Sequence, residues 1–266
     1  MSPPLCSAAE LILGCNMALY SAAAYPDGPS IATPDRKVTV LVQGQFRAIV
    51  VEDVDSLTIS VAGTDSIRND ITDIRCVQEP IMEGAVTILC HVGFREGLYA
   101  LWPLVLAFLE TNRKTLYLTG HSLGAAIVRL ILIRMFLEMG MRPAAIVTFG
   151  EPRSLNYFGA RFCERLGVKS CRWIDEMDIV ARVPWFTIWP PEKVQLFRHP
   201  EGSYWIVDGQ VDVNRSAIKR IPQDWRGYLA ERQARGPARE LFPLVQDHFI
   251  SRYRERLASI VLPTSP

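Results

Sequence analysis

The order of strand and helix patterns over residues 98–149 constrains the fold of this chain more than any other feature. An apolar helix pattern at 98–111 is followed by a short strand pattern at 115–119, a second apolar helix at 125–139 and a strand at 145–149. Strands that alternate with helices need crossover connections, and these connections give a mainly parallel sheet with helices on both faces. The sequence therefore predicts an α/β fold with a mainly parallel central sheet flanked by helices.

The rest of the chain extends this pattern in both directions. Because 266 residues are enough for one sizeable core, we predict a single domain over residues 1–266. The polar, Arg-rich segment 213–243 is predicted to be a surface excursion from that domain. Further strands are predicted at 38–42, 46–51, 57–62, 86–92, 171–174, 194–198 and 204–207, and terminal helices at 8–24 and 244–257.

The composition argues against several classes of protein. The 29 Lys and Arg residues are balanced by 28 Asp and Glu residues, so no net positive field would hold DNA or RNA, and we predict no nucleic-acid partner. The six cysteines are scattered without the short paired spacings of a metal site. We therefore predict no bound metal, and nothing in the sequence requires an organic cofactor.

The apolar runs and the N-terminus bear on location. The runs 98–109 and 11–25 are too short or too interrupted by polar residues to cross a bilayer, so we predict no transmembrane segment. No basic region precedes the first apolar run, as it would in a secretory signal. This pattern predicts a cytoplasmic protein, or a secreted one if the sequence lacks its signal.

A G-x-S-x-G motif lies between the central strand and the helix that follows it. It reads Gly120-His121-Ser122-Leu123-Gly124, and its context is the strand-to-helix turn that this motif requires. Such a turn strains the backbone of the serine and exposes its hydroxyl above the sheet edge, while the N-terminus of the next helix favours a developing oxyanion. We therefore predict that Ser122 is a nucleophile.

A serine nucleophile needs an imidazole base and a carboxylate that orients the base. In folds with this strand-to-helix serine turn, the triad residues follow one another along the chain in the order Ser, then Asp or Glu, then His. Two histidines follow Ser122 and are candidates for the base, His199 and His248. The position of His248 near the start of the last helix favours it over His199, which lies in a turn between two strands. For the acid, Asp178 and Asp175 both follow a predicted strand, and position alone gives Asp178 a modest lead.

Five separate motifs carry a family resemblance: Ala62-Gly63-Thr64, His91-Val92-Gly93-Phe94, the G-x-S-x-G pentapeptide, the run 147–153 and the run 178–184. Together they resemble the class 3, fungal-type lipases. The resemblance spans about residues 8–255 and is weakest at 213–243. It implies the α/β-hydrolase fold and the hydrolysis of esters.

Carried over position by position, the resemblance implies a full set of catalytic groups. It makes Ser122 the nucleophile, Asp178 the acid and His248 the base, and so decides between the alternatives left open above. It also implies an oxyanion hole formed by the backbone N–H of Leu123 and by the backbone N–H and hydroxyl of Thr64.

The family also has a lid, which the resemblance places here at about residues 64–80. Within it, Ile67, Ile71 and Ile74 lie on one face of a predicted short helix, which would cover an apolar cleft in water and turn toward a lipid surface. The alternative is a fixed surface helix. Asp70 stands where true lipases of the family often carry a bulky aromatic residue, which argues against strong interfacial activation.

The aromatic residues Trp185 and Phe186 follow the acid motif directly. With Ile67 and Ile71 they are predicted to line the acyl-chain site, the alternative being ordinary core. The sequence thus predicts a carboxylic ester hydrolase, a triacylglycerol lipase or esterase, with a lipid or ester substrate and transient contact with lipid surfaces. A phospholipase, galactolipase or acyltransferase would use the same triad. A non-catalytic scaffold is disfavoured because all three triad positions are filled.

Overall fold

A computed structural model describes residues 6–64, 77–85, 87–175, 178, 180–182, 186–188, 194–207, 210–213 and 248–261. Within these residues the main sheet has eight strands in the order β1-β2-β3-β6-β7-β8-β11-β12, and two further strand pairs, β4-β5 and β9-β10, lie outside it. The strands are β1 Lys37–Gln43, β2 Phe46–Glu52, β3 Ser56–Val61, β4 Gln78–Pro80, β5 Leu89–His91, β6 Thr115–His121, β7 Ala145–Phe149, β8 Lys169–Asp175, β9 Phe186–Ile188, β10 Val194–Leu196, β11 Ser203–Val207 and β12 Gln210–Val213.

The centre of the main sheet is parallel. β3, β6, β7, β8 and β11 pair in parallel, whereas β1, β2 and β12 add antiparallel edges. The predicted α/β-hydrolase fold, with a mainly parallel central sheet, is confirmed. Because the carboxyl ends of parallel strands meet at one edge, the residues that follow β6, β7 and β8 are brought together there.

Helices cover both faces of the sheet. The helices are α1 Ala8–Ala23, α2 Val92–Thr111, α3 Leu123–Met139, α4 Tyr157–Arg165 and α5 Ile250–Val261. On β2, Ala48 and Val50 point into a core shared with α2, α3 and α4, while Ile49 and Val51 point into a core shared with α1 and α5. This alternation of apolar residues toward two cores is what a buried strand between two helical layers requires.

Helix α2 has the length and hydropathy of a membrane span. Its apolar face nevertheless packs into the first core, where Leu98, Leu101 and Val105 are fully buried against α3 and the sheet. This packing supports the interpretation of α2 as a core helix of the folded domain.

Several local predictions were wrong. The run 86–92 was predicted as a strand of the central sheet, but among its described residues the strand is Leu89–His91, which pairs with β4 outside the main sheet, and α2 already begins at Val92. The last described helix begins at Ile250, and His248 lies in the turn before it instead of inside the predicted helix, whose residues 244–247 lie outside the described residues. Helix α4 was not predicted. The strand predicted at 194–198 is present as β10, Val194–Leu196, and it pairs with β9 outside the main sheet. Most of the predicted lid and of the excursion 213–243 lies outside the described residues.

A buried ion pair fastens the segment after β7 to helix α3. Glu151 Oε1 and Oε2 accept hydrogen bonds from Arg129 Nε and Nη2 at 3.0 and 2.8 Å, and Thr148 Oγ1 donates to Oε2 at 2.6 Å. The two charged side chains are 1% and 0% exposed. The ion pair therefore holds Glu151 and the neighbouring Gly150 in place at the end of β7. This gives a structural reason for the glutamate in the motif at 147–153.

Replacing Glu151 by glutamine should lower the free energy of unfolding by about 3–5 kcal/mol, because it leaves the Arg129 charge buried without a counter-charge. The matched control is Glu79→Gln, which breaks the ion pair with Arg95 at the surface and should cost no more than about 1 kcal/mol. Urea unfolding measures both. Equal losses for the two variants would contradict the anchoring role.

Candidate active site

Ser122 lies at the strand-to-helix turn between β6 and α3, with an unusual backbone. Its φ and ψ are 57° and −130°, and it is the one non-glycine residue of the described chain with positive φ. Its N–H donates to the carbonyl of Phe149 at the end of β7, at 3.0 Å. The strained turn predicted for the G-x-S-x-G motif is present, and such strain collects at functional sites.

The two motif glycines are needed because backbone approaches them closely. A Cβ on Gly120 would lie 2.7 Å from the carbonyl carbon of Gly124, and a Cβ on Gly124 would lie 2.1 Å from the carbonyl oxygen of Val61. No side chain fits at either position without moving main chain. The motif therefore fixes the approach of α3 to β3 and β6, and with it the position of Ser122.

Asp178 and His248 are hydrogen-bonded to each other at the same edge of the sheet. His248 Nδ1 donates to Asp178 Oδ1 and Oδ2 at 2.9 and 2.8 Å, and both side chains are fully buried. The backbone N–H of Val180 also donates to Oδ1, at 2.8 Å. Burial alone would raise the pKa of Asp178, but His248 and the hydrogen bonds to the carboxylate outweigh burial and lower it.

Tyr253, which the sequence analysis did not single out, completes the surroundings of the carboxylate. Its hydroxyl donates to Asp178 Oδ2 at 2.6 Å and accepts from the backbone N–H of Asp175 at 3.0 Å. Burial, together with the charge of Asp178, raises the pKa of Tyr253 well above its usual value, so the phenol keeps its proton. The signal in the sequence was its position five residues after His248, on the helix that follows.

Nε2 of His248 is the ring nitrogen left for a proton transfer. It is buried and has no hydrogen-bond partner among the described residues, Ser122 included. The ring of the adjacent His121 is in contact with that of His248, with centroids 4.7 Å apart. In serine hydrolases the hydrogen bond between nucleophile and base often tightens only in the substrate complex.

The rival candidates have other partners. Asp175 Oδ1 forms an ion pair with Arg256 at 2.7 Å. His199 Nε2 is 2.9 Å from the carbonyl oxygen of Ala181. His91 accepts from the backbone N–H of Gly93 as the cap of helix α2, a structural role that the sequence analysis did not specify.

Asp178 and His248, the predicted acid and base, pack on Gly150. Its φ is 57°, and a Cβ built on it would lie 2.7 Å from both Asp178 Oδ2 and His248 Cε1. A glycine is required here for two separate reasons, the left-handed backbone and the close approach of the two side chains.

Gly150→Ala should lower kcat by about 100-fold or more, because the new methyl group displaces the acid and base, and a shift of about 1 Å in a catalytic group costs that much. The matched control is Gly140→Ala, which has the same left-handed backbone (φ 66°) at the end of α3 but nothing within 4 Å of its Cβ. Steady-state kinetics and thermal unfolding of both variants separate the two effects. Equal kcat values would show that Gly150 matters only for its backbone.

The predicted oxyanion donors adjoin Ser122. Leu123 is the first residue of α3, so its N–H belongs to the four that have no acceptor within the helix. Thr64 follows Gly63, and a Cβ on Gly63 would lie 2.9 Å from Ser122 Cβ. Both positions suit an oxyanion hole, whose assignment stays a prediction.

Of the predicted acyl-chain residues, Ile67, Ile71 and Trp185 lie outside the described residues, and only the backbone of Phe186, in β9, is described.

Comparisons with known proteins bear on the family and the fold of this chain. The family model described as Lipase (class 3) matches residues 58–187. A lipase of Caenorhabditis elegans is 28% identical over 193 residues, which cover 66% of this chain and 54% of that protein. Lipase A of Sodiomyces alcalophilus is 29% identical over 154 residues, which cover 48% of this chain and 35% of the relative. The chain thus spans about half or less of the length of these two relatives.

Solved structures share the fold. The triacylglyceride lipase of Rhizomucor miehei is 23% identical with a TM-score of 0.67, covering 82% of this chain and 92% of that one. The Lip2 lipase of Yarrowia lipolytica is 16% identical with a TM-score of 0.66, covering 84% and 93%. At these identities the likeness establishes the fold alone.

Proposed function

This chain belongs to the class 3 lipase family, and on that premise we propose that it hydrolyses carboxylic esters of lipid-like acyl chains through an acyl-enzyme on Ser122. The observation that supports this proposal most directly is the buried His248–Asp178 hydrogen bond at the sheet edge where Ser122 sits in its strained turn. Burying a carboxylate and an imidazole costs free energy, and such buried pairs are concentrated at functional sites. Orienting a general base is a function that would account for this pair.

In the proposed acylation step, His248 Nε2 accepts the proton of the Ser122 hydroxyl as Oγ attacks the ester carbonyl carbon. The C–O double bond opens to an oxyanion, which the N–H groups of Leu123 and Thr64 stabilise at the N-terminus of α3. Collapse of this intermediate breaks the bond to the alcohol, which leaves with the proton held by His248. Asp178 keeps the proton of the imidazole on Nδ1 throughout, so that Nε2 faces the reaction with its lone pair.

Deacylation repeats these steps with water as the nucleophile. His248 Nε2 removes a proton from the water as its oxygen attacks the acyl carbon, and then returns the proton to Ser122 Oγ as the acid is released. The net reaction consumes one ester and one water and yields one acid and one alcohol. An alcohol in place of water would give acyl transfer by the same groups.

Two experiments test the function. A fluorophosphonate probe should label Ser122, identified by peptide mass spectrometry, because the probe requires a nucleophilic serine activated by a base. Hydrolysis of p-nitrophenyl esters of graded chain length, below and above their solubility limit, should then favour the longer chains. Absence of labelling in the folded protein would contradict an ester hydrolase, whereas labelling with a preference for short dissolved esters would contradict only the lipid-like substrate.

A further inference from the structure

Two side chains outside the triad join the N-terminal segment to His248. The hydroxyl of Tyr25 lies 2.6 Å from His121 Nδ1, and His121 Nε2 lies 2.5 Å from the backbone carbonyl oxygen of His248. His121 is 1% exposed and His248 is fully buried, so water does not compete for the second bond. A continuous path of hydrogen bonds therefore runs from Tyr25 to the main chain of the proposed base.

The chemistry of these groups fixes the direction of both hydrogen bonds. A carbonyl oxygen only accepts, so His121 must carry a hydrogen on Nε2. Burial, with the nearby charge of His248, lowers the pKa of His121 to about 3, so its ring is neutral near neutral pH and Nδ1 holds a lone pair. Tyr25 therefore donates to Nδ1 while Nε2 donates to His248, and each bond polarises the next.

The start of this path is held firmly in the fold. Arg47 Nε donates to the carbonyl of Ala24, the residue before Tyr25, at 2.8 Å. Helix α1 is tied to β6 by the buried hydroxyls of Ser21 and Thr119, which are 2.9 Å apart. Tyr25 is thus anchored to both the helix and the sheet.

We propose that Tyr25 and His121 are positioning residues for the general base: the chain Tyr25 O–H to His121 and His121 Nε2–H to His248 C=O fixes the main chain from which the catalytic imidazole projects. This inference rests on the proposed function. His248 lies in a turn two residues before α5, so helical hydrogen bonding does not fix it. Asp178 holds its ring through Nδ1 and His121 holds its carbonyl, and together they leave the imidazole one orientation. Neither Tyr25 nor His121 has a part in the bonds that the proposed reaction makes and breaks.

The hydrogen-bond direction is testable without any substrate. In protein labelled with ¹⁵N in its histidine rings, long-range ¹H–¹⁵N correlation spectra report the tautomer of each imidazole. The signal of His121, identified by its loss in His121→Gln, should show a neutral ring with hydrogen on Nε2. A ring with hydrogen on Nδ1, or a cationic ring near neutral pH, would overturn the proposal whether or not the protein hydrolyses esters.

The positioning role is testable by a double-mutant cycle. Tyr25→Phe should lower kcat about 10-fold with KM unchanged, the effect of one lost hydrogen bond of ordinary net strength. In His121→Gln the amide N–H replaces Nε2–H as the donor to His248, so this variant should also stay within about 10-fold of the wild type. His121→Leu, with no donor, should lose about 100-fold. Tyr20→Phe is the matched control. It removes the hydroxyl of another tyrosine, on helix α1, which donates to Asp53 and not to His121, and it should keep wild-type kcat.

Non-additivity distinguishes positioning from substrate contact. If Tyr25 acts through His121, Tyr25→Phe should have no further effect in the His121→Gln background. Losses of kcat that multiply in the double variant, or a rise in KM for Tyr25→Phe, would mean that Tyr25 acts on the substrate. Either result would overturn the proposal. Should His121→Leu fail to fold, the cycle of Tyr25→Phe and His121→Gln still distinguishes positioning from substrate contact. A wild-type protein that neither labels nor turns over esters would instead contradict the proposed function, while the spectra still test the hydrogen bonds.

Discussion

Replacing Ser122 by alanine is expected to lower kcat for ester hydrolysis by about 10⁴-fold to 10⁶-fold. Without Oγ no acyl-enzyme forms, and what activity remains comes from binding and from the oxyanion donors. The fold should be unaffected, since the Ser122 side chain makes no capping hydrogen bond to α3 and alanine meets the same backbone strain as serine.

Ester hydrolysis and fluorophosphonate labelling, measured with thermal unfolding on the same preparation, check this expectation. Ser259→Ala is a suitable control, because it removes an exposed hydroxyl that bonds only the carbonyl of Arg256 within α5, and it should leave kcat unchanged. Hydrolysis that persists in folded, purified Ser122→Ala protein would remove the basis of the proposed mechanism.

The fold class was predictable because its signals are local and repeated. The strands β6 and β7 and the helix α3 each carry a continuous buried apolar run, and their alternation along the chain leaves few topologies. The turn at Ser122 was predictable because the whole G-x-S-x-G motif lies within five residues, between a clear strand pattern and a clear helix pattern. The reason for its second glycine is tertiary, since Gly124 packs against Val61 of β3.

The errors fall where tertiary contacts decide the structure. Residues 86–92 carry the apolar, β-branched composition of a sheet strand, yet His91 caps α2 and the extended part pairs with the short β4 instead. Helix α4 has a clear apolar face, but it spans only nine residues and buries the small residues Gly159, Ala160 and Cys163, so it did not stand out in the sequence. Neither outcome follows from propensity, because each depends on which surface the segment meets.

The site shows the same division. Position alone gave Asp178 only a modest lead over Asp175, and the family resemblance was needed to choose between them. In the structure Asp175 contacts Arg256, whereas Asp178 contacts His248 and Tyr253. Tyr25 and Tyr253 contact the site from opposite ends of the chain, through helices α1 and α5 that pack together on one face of the sheet. Groups that act through contacts 75 or more residues apart carry no motif that a single sequence reveals.

The surroundings of Asp178 make asparagine at this position a sharp test of the orienting role. Among the residues that the structure describes, the groups that bond the carboxylate are all donors: the His248 ring, the Tyr253 hydroxyl and the backbone N–H groups of Val180 and Ala181. In Asp178→Asn the amide oxygen must stay on the side of the two backbone N–H groups, because an NH₂ group there would face two donors. The NH₂ group then occupies the place of Oδ2, beside Tyr253 and His248.

Tyr253 can adapt to that change, since its oxygen can accept from the new NH₂ group. His248 Nδ1 lies 2.8 Å from the position of the NH₂ group and 2.9 Å from the oxygen, and we expect it to change tautomer because a hydrogen on Nδ1 would face the NH₂ hydrogens. Its Nδ1 would accept from the NH₂ group, and its proton would move to Nε2, the nitrogen that must take the serine proton. Asp178→Asn should therefore lower kcat by about 10⁴-fold with the fold retained, as a wrong tautomer does in other serine triads.

Asp53→Asn, which alters a carboxylate that bonds Tyr20 and Arg36 away from the site, is the matched control and should keep wild-type kcat. Kinetics show the loss, and ring ¹⁵N spectra of His248 should show hydrogen on Nδ1 in the wild type and on Nε2 in the variant; a full loss of kcat with the wild-type tautomer would mean that the charge of Asp178, and not its orienting hydrogen bond, supports the reaction.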